Sequence, residues 1–383
     1  MPVPLPDTET VLLTPPDARE VRVVARGVAT AVAPAGGLTD VQRVLVEALF
    51  PAMTGHHVDV ATFEPLAAAD LARALARRNE AFRTRIVQIM LLCALVLRPL
   101  PEAVVERVSE AARELSVDEG LIEVAQRFAA GTLGLAAVDF DRNGYTTDWA
   151  LHDAGSLHTS SALQSAWDTA VHDPALAARW EALGALPDGS LGRRVFELYQ
   201  ARGFEFPGRP GSAPPLLARH DWVHVLADYG TTVESELEVF AFVARANDDL
   251  RAFALLAMVV SLFETGYLRT GAGLFESDTG HLSAGRGVAT RVADAMRRGA
   301  LCRDAVTGDP SIDFLRLDWF ELAPLPVDEV RRRFGVAPKS PDAVAAGSVG
   351  PWEPGGISRF QLDVGQDKAA REGRDYDAHG ACL

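Results

Sequence analysis

Arg219–Glu238 reads RHDWVHVLADYGTTVESELE. The spacing predicts a helix over 217–227, in which His220 and His224 are four apart and so neighbours on one face. Asp221 lies about 100° round the helix from His220, within reach of the same ion. A turn follows at Asp228-Tyr229-Gly230, and Thr231 with Glu234 forms a capping box for a second helix. Glu236 falls in the first turns of that helix and heads an apolar stripe of Val239, Phe240 and Val243, so it points inward. Two imidazoles and one or two carboxylates converging from a helical hairpin make a metal site with an open coordination position. Asp228, four residues beyond His224, is either a supporting partner of that imidazole or a plain polar helix end.

A His-Asp pair alone is a weak signal, and the chain supplies its own controls. His152-Asp153 and His172-Asp173 are also His-Asp pairs, but four residues after those histidines stand Ser156 and Leu176. Only the pair at His220 is completed by a second His and followed by an inward Glu. His56-His57, in the loop TGHHVD, are further ligand candidates, although an adjacent pair in a polar loop reads first as solvated.

The chain has 383 residues, 48% of them hydrophobic, and a net charge of −15. That length has room for two helical domains, and the acidity argues against nucleic acid as a partner. Cys93, Cys302 and Cys382 are far apart with no CxxC, which argues against a disulfide framework or a Cys-rich zinc site. MPVPLPDTET carries neither a basic nor an apolar leader region, and a cytoplasmic location is expected. The longest uncharged apolar run, AFALLAMVVSLF (252–263), is twelve residues, too short to span a bilayer.

Residues 1–37, rich in Pro and Gly around the β-leaning run EVRVVARGVATAV, read as an arm. Helical patterns over 38–138 include TDVQRVLVEALF, RIVQIMLLCALVL and PEAVVERVSEAAREL, with a capping box at Ser116 and Glu119 before LIEVAQRFAAGTLG. A linker spans 139–164. Its Asp139, Asp141, Asn143 and Gly144 open like an EF-hand loop, but Ala150 stands where a bidentate Glu is needed. A second helical domain runs over 165–338. After Pro338 large apolar residues become scarce, and 339–383 is expected to be a disordered tail.

Four ordered segments carry a resemblance. His220, Asp221, His224 and Glu236 form an HDxxH motif followed after eleven residues by Glu. LPDGSLGRRVFELY, TTVESELEV and DWFELAPLPVDEVRRRFGV flank it in order. Together they make residues 165–338 resemble the ubiquinone (coenzyme Q) biosynthesis protein 4 family, with Ser235 where that family usually has Gly. The helices around VLRPLPEAVVERVSEAARELSVDEG resemble tellurite-resistance TerB-like domains.

The first resemblance implies an all-α fold and a divalent metal, usually taken as zinc, on His220, Asp221, His224 and Glu236. It implies oxidative removal of the ring C1 carboxyl of a prenylated aromatic acid, with hydroxylation there, for which Asp221 and Glu236 are the catalytic candidates. An older reading of the family is a scaffold for other quinone-biosynthesis enzymes. Iron is the alternative metal, because two imidazoles and one carboxylate also serve non-haem iron oxygenases. The implied partners are a prenylated quinone precursor or other isoprenoid lipid, quinone-biosynthesis enzymes, the inner face of the cell membrane and a second copy of the chain. An apolar helix over 250–268, with Val239, Phe240 and Val243, is expected to line a tunnel for the isoprenoid tail.

Overall fold

The computed structural model describes residues 16–60, 63–97, 99–117, 172–210, 212, 218–247, 256, 260, 282 and 286–381. Among them the protein is all-α. The one ladder-type pairing is an isolated antiparallel bridge between Ser190 and Pro326. The helix expected over LIEVAQRFAAGTLG, the EF-hand-like loop, His152 and most of 250–268 lie outside the described residues. Of the last, Leu256 and Val260 are described, and both are buried.

The arm expected over 1–37 is, from Ala18 to Val32, a helix, α1. Its valines suggest a strand, but Val21, Val24, Ala25, Val28 and Val32 recur at helical spacing and all are buried. The side chain of Asp17 caps the first turn by accepting from the N–H groups of Arg19 and Glu20. Burial on one helical stripe outweighs the β preference of branched side chains. Then come α2 (Asp40–Thr54), α3 (Ala68–Ala74), α4 (Glu80–Leu95) and α5 (Glu102–Glu114). α1 packs against the other four. Gln42, fully buried, donates from Nε2 to Val32 O at 2.8 Å and to Cys93 O at 2.9 Å, pinning α2 across α1 and α4.

The second half contains α6 (Pro174–Glu181), α7 (Leu191–Arg202), α8 (Arg219–Ala227), α9 (Val233–Ala246), α10 (Arg286–Leu301), α11 (Trp319–Leu322) and α12 (Val327–Phe334). α10 lies along α9 and also packs on α2. The buried apolar residues of the two halves form one continuous cluster.

The disordered tail expected after Pro338 is instead ordered through Ala381. It forms α13 (Pro341–Ala345) and α14 (Arg359–Glu372). Ser340 caps α13, and Ser358 with Gln361 makes a full capping box on α14. Few large apolar residues are needed, because the segment docks through backbone and polar contacts. α14 lies against α7, with Lys368 Nζ donating to Phe204 O at 2.8 Å and Tyr376 Oη donating to Ala201 O at 2.8 Å. Arg202, on α7, is the central tie. Its guanidinium donates to Thr231 Oγ1 at 2.7 Å, Pro351 O at 2.7 Å and Gly356 O at 3.0 Å. Burial lowers this group to about 10, which leaves it charged at neutral pH.

Replacing Arg202 with Met keeps the aliphatic stem but leaves these acceptors without their donor. The expected cost is about 2–4 kcal/mol of unfolding free energy. It is read as a lower urea midpoint at an unchanged slope.

Candidate metal centre

α8 carries the HDxxH motif. It has no side-chain cap at its N-terminus, where Arg219 Nη1 instead donates to Leu315 O at 2.8 Å. Its C-terminal carbonyls are taken by two arginines. Arg331 donates to Leu226 O at 2.8 Å and Val225 O at 3.2 Å, and Arg298 donates to Ala227 O at 2.8 Å. Two cations at the negative end of a nine-residue helix stabilise a segment with little intrinsic reason to be helical.

Asp228 then turns the chain in the left-handed region, φ 64°, and faces Lys339 Nζ at 3.2 Å and Arg331 Nη2 at 3.8 Å. It ends the helix and does not reach the site. α9 begins one residue later than the capping box expected at Thr231. Thr232 is the cap, accepting from Ser235 N, because Gln361 and Arg202 engage the Thr231 hydroxyl.

The hairpin of α8 and α9 brings all four expected ligands together. His220, Asp221, His224 and Glu236 are 4%, 6%, 0% and 4% exposed. Glu236 Oε2 lies 3.2 Å from His220 Nε2, and its Oε1 lies 3.2 Å from His224 Nε2. Asp221 Oδ1 is 3.4 Å from His220 Nε2. His220, Asp221 and His224 each offer a ligand atom within 4.8 Å of the others.

Supporting contacts orient each group. His220 stacks on Phe240, ring centroids 5.1 Å apart. The hydroxyl of Tyr199, on α7, donates to Asp221 Oδ2. Behind them Trp180 packs on Tyr199 and Trp222, and Trp222 stacks on Trp319 at 5.8 Å.

His224 Nδ1 lies 2.6 Å from Gly230 O. A carbonyl only accepts, so Nδ1 carries a proton, and a neutral ring then presents a bare lone pair at Nε2. That nitrogen and Glu236 Oε2 are buried and have no hydrogen-bond partner. A lone pair facing a carboxylate in a dry site requires a cation between them, either a proton or a metal ion. Burial opposes ionisation of Glu236, but the charges of His224 and His220 outweigh it and bring the carboxyl down to about 2. For Asp221 burial dominates and pushes the carboxyl up, against the two imidazoles and the Tyr199 hydroxyl. Burial, then the Asp221 charge, holds the Tyr199 phenol well above its usual value, so it remains a donor.

The donor set therefore fits a divalent ion. A group of His and carboxylate oxygens, with His224 fixed through its far nitrogen by a carbonyl, is the usual supported arrangement for such an ion. The sequence reading missed Tyr199 and Gly230. Tyr199 ends the quoted segment LPDGSLGRRVFELY, but only the fold shows that its hydroxyl reaches Asp221. Ser235 faces α10 and not the site, its hydroxyl accepting from Arg291 Nη2 at 3.2 Å beside the buried Arg291–Glu238 ion pair. His172 is exposed. His56 and His57 lie in a separate surface cleft of about 420 Å³ with Arg22, Arg26, Asp59 and Glu64.

No protein-family model, curated protein or solved structure matches the chain.

The purified protein is expected to carry about one divalent ion per chain by elemental mass spectrometry. His220→Ala and Glu236→Ala should release most of it, and His172→Ala none. Full retention in the Glu236 variant would remove Glu236 from the site.

Proposed function

We propose that the protein is a metal-dependent enzyme of ubiquinone-biosynthesis type. It acts on the head group of a prenylated aromatic acid by oxidative decarboxylation: the ring C1 carboxyl leaves as carbon dioxide, a hydroxyl oxygen enters at C1, and dioxygen serves as the two-electron oxidant. The observation that carries the metal reading is that His224 Nε2 and Glu236 Oε2 are buried without a hydrogen-bond partner in a cluster where Glu236 lies 3.2 Å from both imidazoles. The choice of reaction rests on the four ordered sequence segments that resemble that family. Zinc is the first candidate and iron the second.

A divalent ion held by His220, Asp221, His224 and Glu236 supplies Lewis acidity for polarising a carboxylate and for activating water or dioxygen. The chain's own residues set the conditions for that chemistry. Burial of all four side chains excludes bulk water and strengthens each electrostatic contact. Tyr199 fixes Asp221 through Oδ2, leaving Oδ1 beside His220 as the atom that holds or moves a proton. Phe240 sets the plane of His220.

The isoprenoid tail is assigned to the apolar side of α9, where Val239, Phe240 and Val243 continue from Glu236. No helix among the described residues is long and apolar enough to cross a membrane. Contact with a membrane surface or with other quinone-biosynthesis enzymes is part of the proposal, as are a cytoplasmic location and pairing with a second copy.

Burial of all four side chains favours a second reading. Structural metal sites are closed, whereas catalytic ones keep an open position. On that reading the ion ties α8 to α9 in a lipid-binding scaffold.

Asp221→Asn separates the two. For an enzyme, this variant is expected to keep its fold and most of its metal. It should lose about a hundredfold or more of its turnover on a prenylated hydroxybenzoate-type acid. Tyr199→Phe should lose less, since the carboxylate remains but one oxygen is no longer held. If the Asn variant supports quinone synthesis in cells as well as the parent does, the scaffold reading stands.

A further inference from the structure

Gly230 joins the candidate ligands to a part of the chain outside all four family-like segments. Its carbonyl takes the Nδ1–H of His224, and its N–H donates to Val349 O at 2.9 Å. Thr231 N–H donates to Gly356 O at 2.9 Å. Gln361 Nε2 donates to Thr231 O at 2.9 Å, and the Thr231 hydroxyl donates to Gln361 Oε1 at 2.7 Å. Every backbone polar group of this two-residue turn therefore ends either on His224 or on residues 349–361.

One peptide plane transmits the constraint. The carbonyl of Gly230 and the N–H of Thr231 belong to the same planar trans peptide and point in opposite directions. Gly356 O holds one side of that plane, and His224 Nδ1 meets the other. Tilting the plane away from Gly356 turns the Gly230 carbonyl away from the imidazole. The approach is close enough that a Cβ on Gly230 would lie 2.8 Å from Gly356 Cα and from its carbonyl oxygen. Gly230 is not among the residues with positive φ. Close approach, not backbone conformation, is what requires glycine here.

We infer that residues 349–361 act as a positioning strap. By holding the Gly230–Thr231 peptide they keep His224 in the Nδ1–H tautomer and its Nε2 lone pair turned to Glu236. The consequence for metal affinity rests on the metal reading above, while the tautomer does not.

The test uses full-length, metal-free protein labelled with ¹⁵N-histidine, with long-range ¹H–¹⁵N spectra recorded at about pH 9, above the ordinary imidazole range. Zinc titration of the same samples follows. The parent should show His224 protonated at Nδ1, with any second proton shared between Nε2 and Glu236. Gly230→Ala, which pushes strap and turn apart, and Gln361→Met, which removes two strap bonds at nearly constant shape, should each give a mixture of tautomers. Zinc affinity should fall about tenfold or more in both. Val306→Ala, at an exposed position outside the strap, should match the parent in both readouts.

An Nε2–H tautomer in the parent overturns the inference. So does an unchanged His224 spectrum in folded Gly230→Ala and Gln361→Met. If Gly230→Ala fails to fold, Gln361→Met decides alone. If the parent binds no zinc, the metal reading fails and the spectra still decide the strap.

Discussion

A bare imidazole nitrogen and a carboxylate oxygen cannot face each other in a dry interior without a cation between them. The His224–Glu236 pair places that constraint at the centre of the second half of the protein. It is imposed from behind, because the Gly230 carbonyl fixes the proton of His224 on Nδ1. It also explains the arrangement round it. Glu236 is held ionised by two imidazoles against burial, and Asp221 keeps one oxygen on Tyr199 while the other stays near His220.

The two helices that present these groups are held mainly by tertiary contacts. α8 is a short helix with no N-terminal side-chain cap, and its last carbonyls end on Arg298 and Arg331. Arg331 belongs to the segment DWFELAPLPVDEVRRRFGV, more than a hundred residues from the motif in sequence. That segment's place beside the motif thus has a physical basis: it completes the C-terminus of the motif's own helix. Arg202 does the same for the following turn.

The helical class and the convergence of the four candidate ligands were legible because each rests on local spacing. His220 and His224 are four apart, and Glu236 leads an apolar stripe on the next helix, so short-range geometry places them. Tyr199 and Gly230 were not legible, since each acts through a contact whose partner is set by the fold. The valine-rich α1 was misread because β propensity is a weak guide when the same valines also fit a helical stripe. The segment after Pro338 was misread because a shortage of large apolar residues signals disorder only for a chain that must build its own core. This one rests on a core already made, and Gly365 lets its backbone come close to α7 while Gly350 lets it come close to Asp228 at the α8–α9 turn. The shift of the α9 cap from Thr231 to Thr232 has the same origin, since Gln361 occupies the hydroxyl that the local pattern assigned to the helix.

The bond between Gln361 and Thr231 joins residues 130 positions apart. On the ribosome, where chains grow by roughly 5–20 residues per second, the helices bearing His220, His224 and Glu236 emerge many seconds before the segment that fixes their turn. During that interval the nascent chain holds all four candidate ligands without the residues that hold the Gly230–Thr231 peptide in place. On the proposed metal reading, an ion would be held in its final geometry only after the strap is made, and a chain cut short before Val349 would carry every candidate ligand yet lack the segment that orders them.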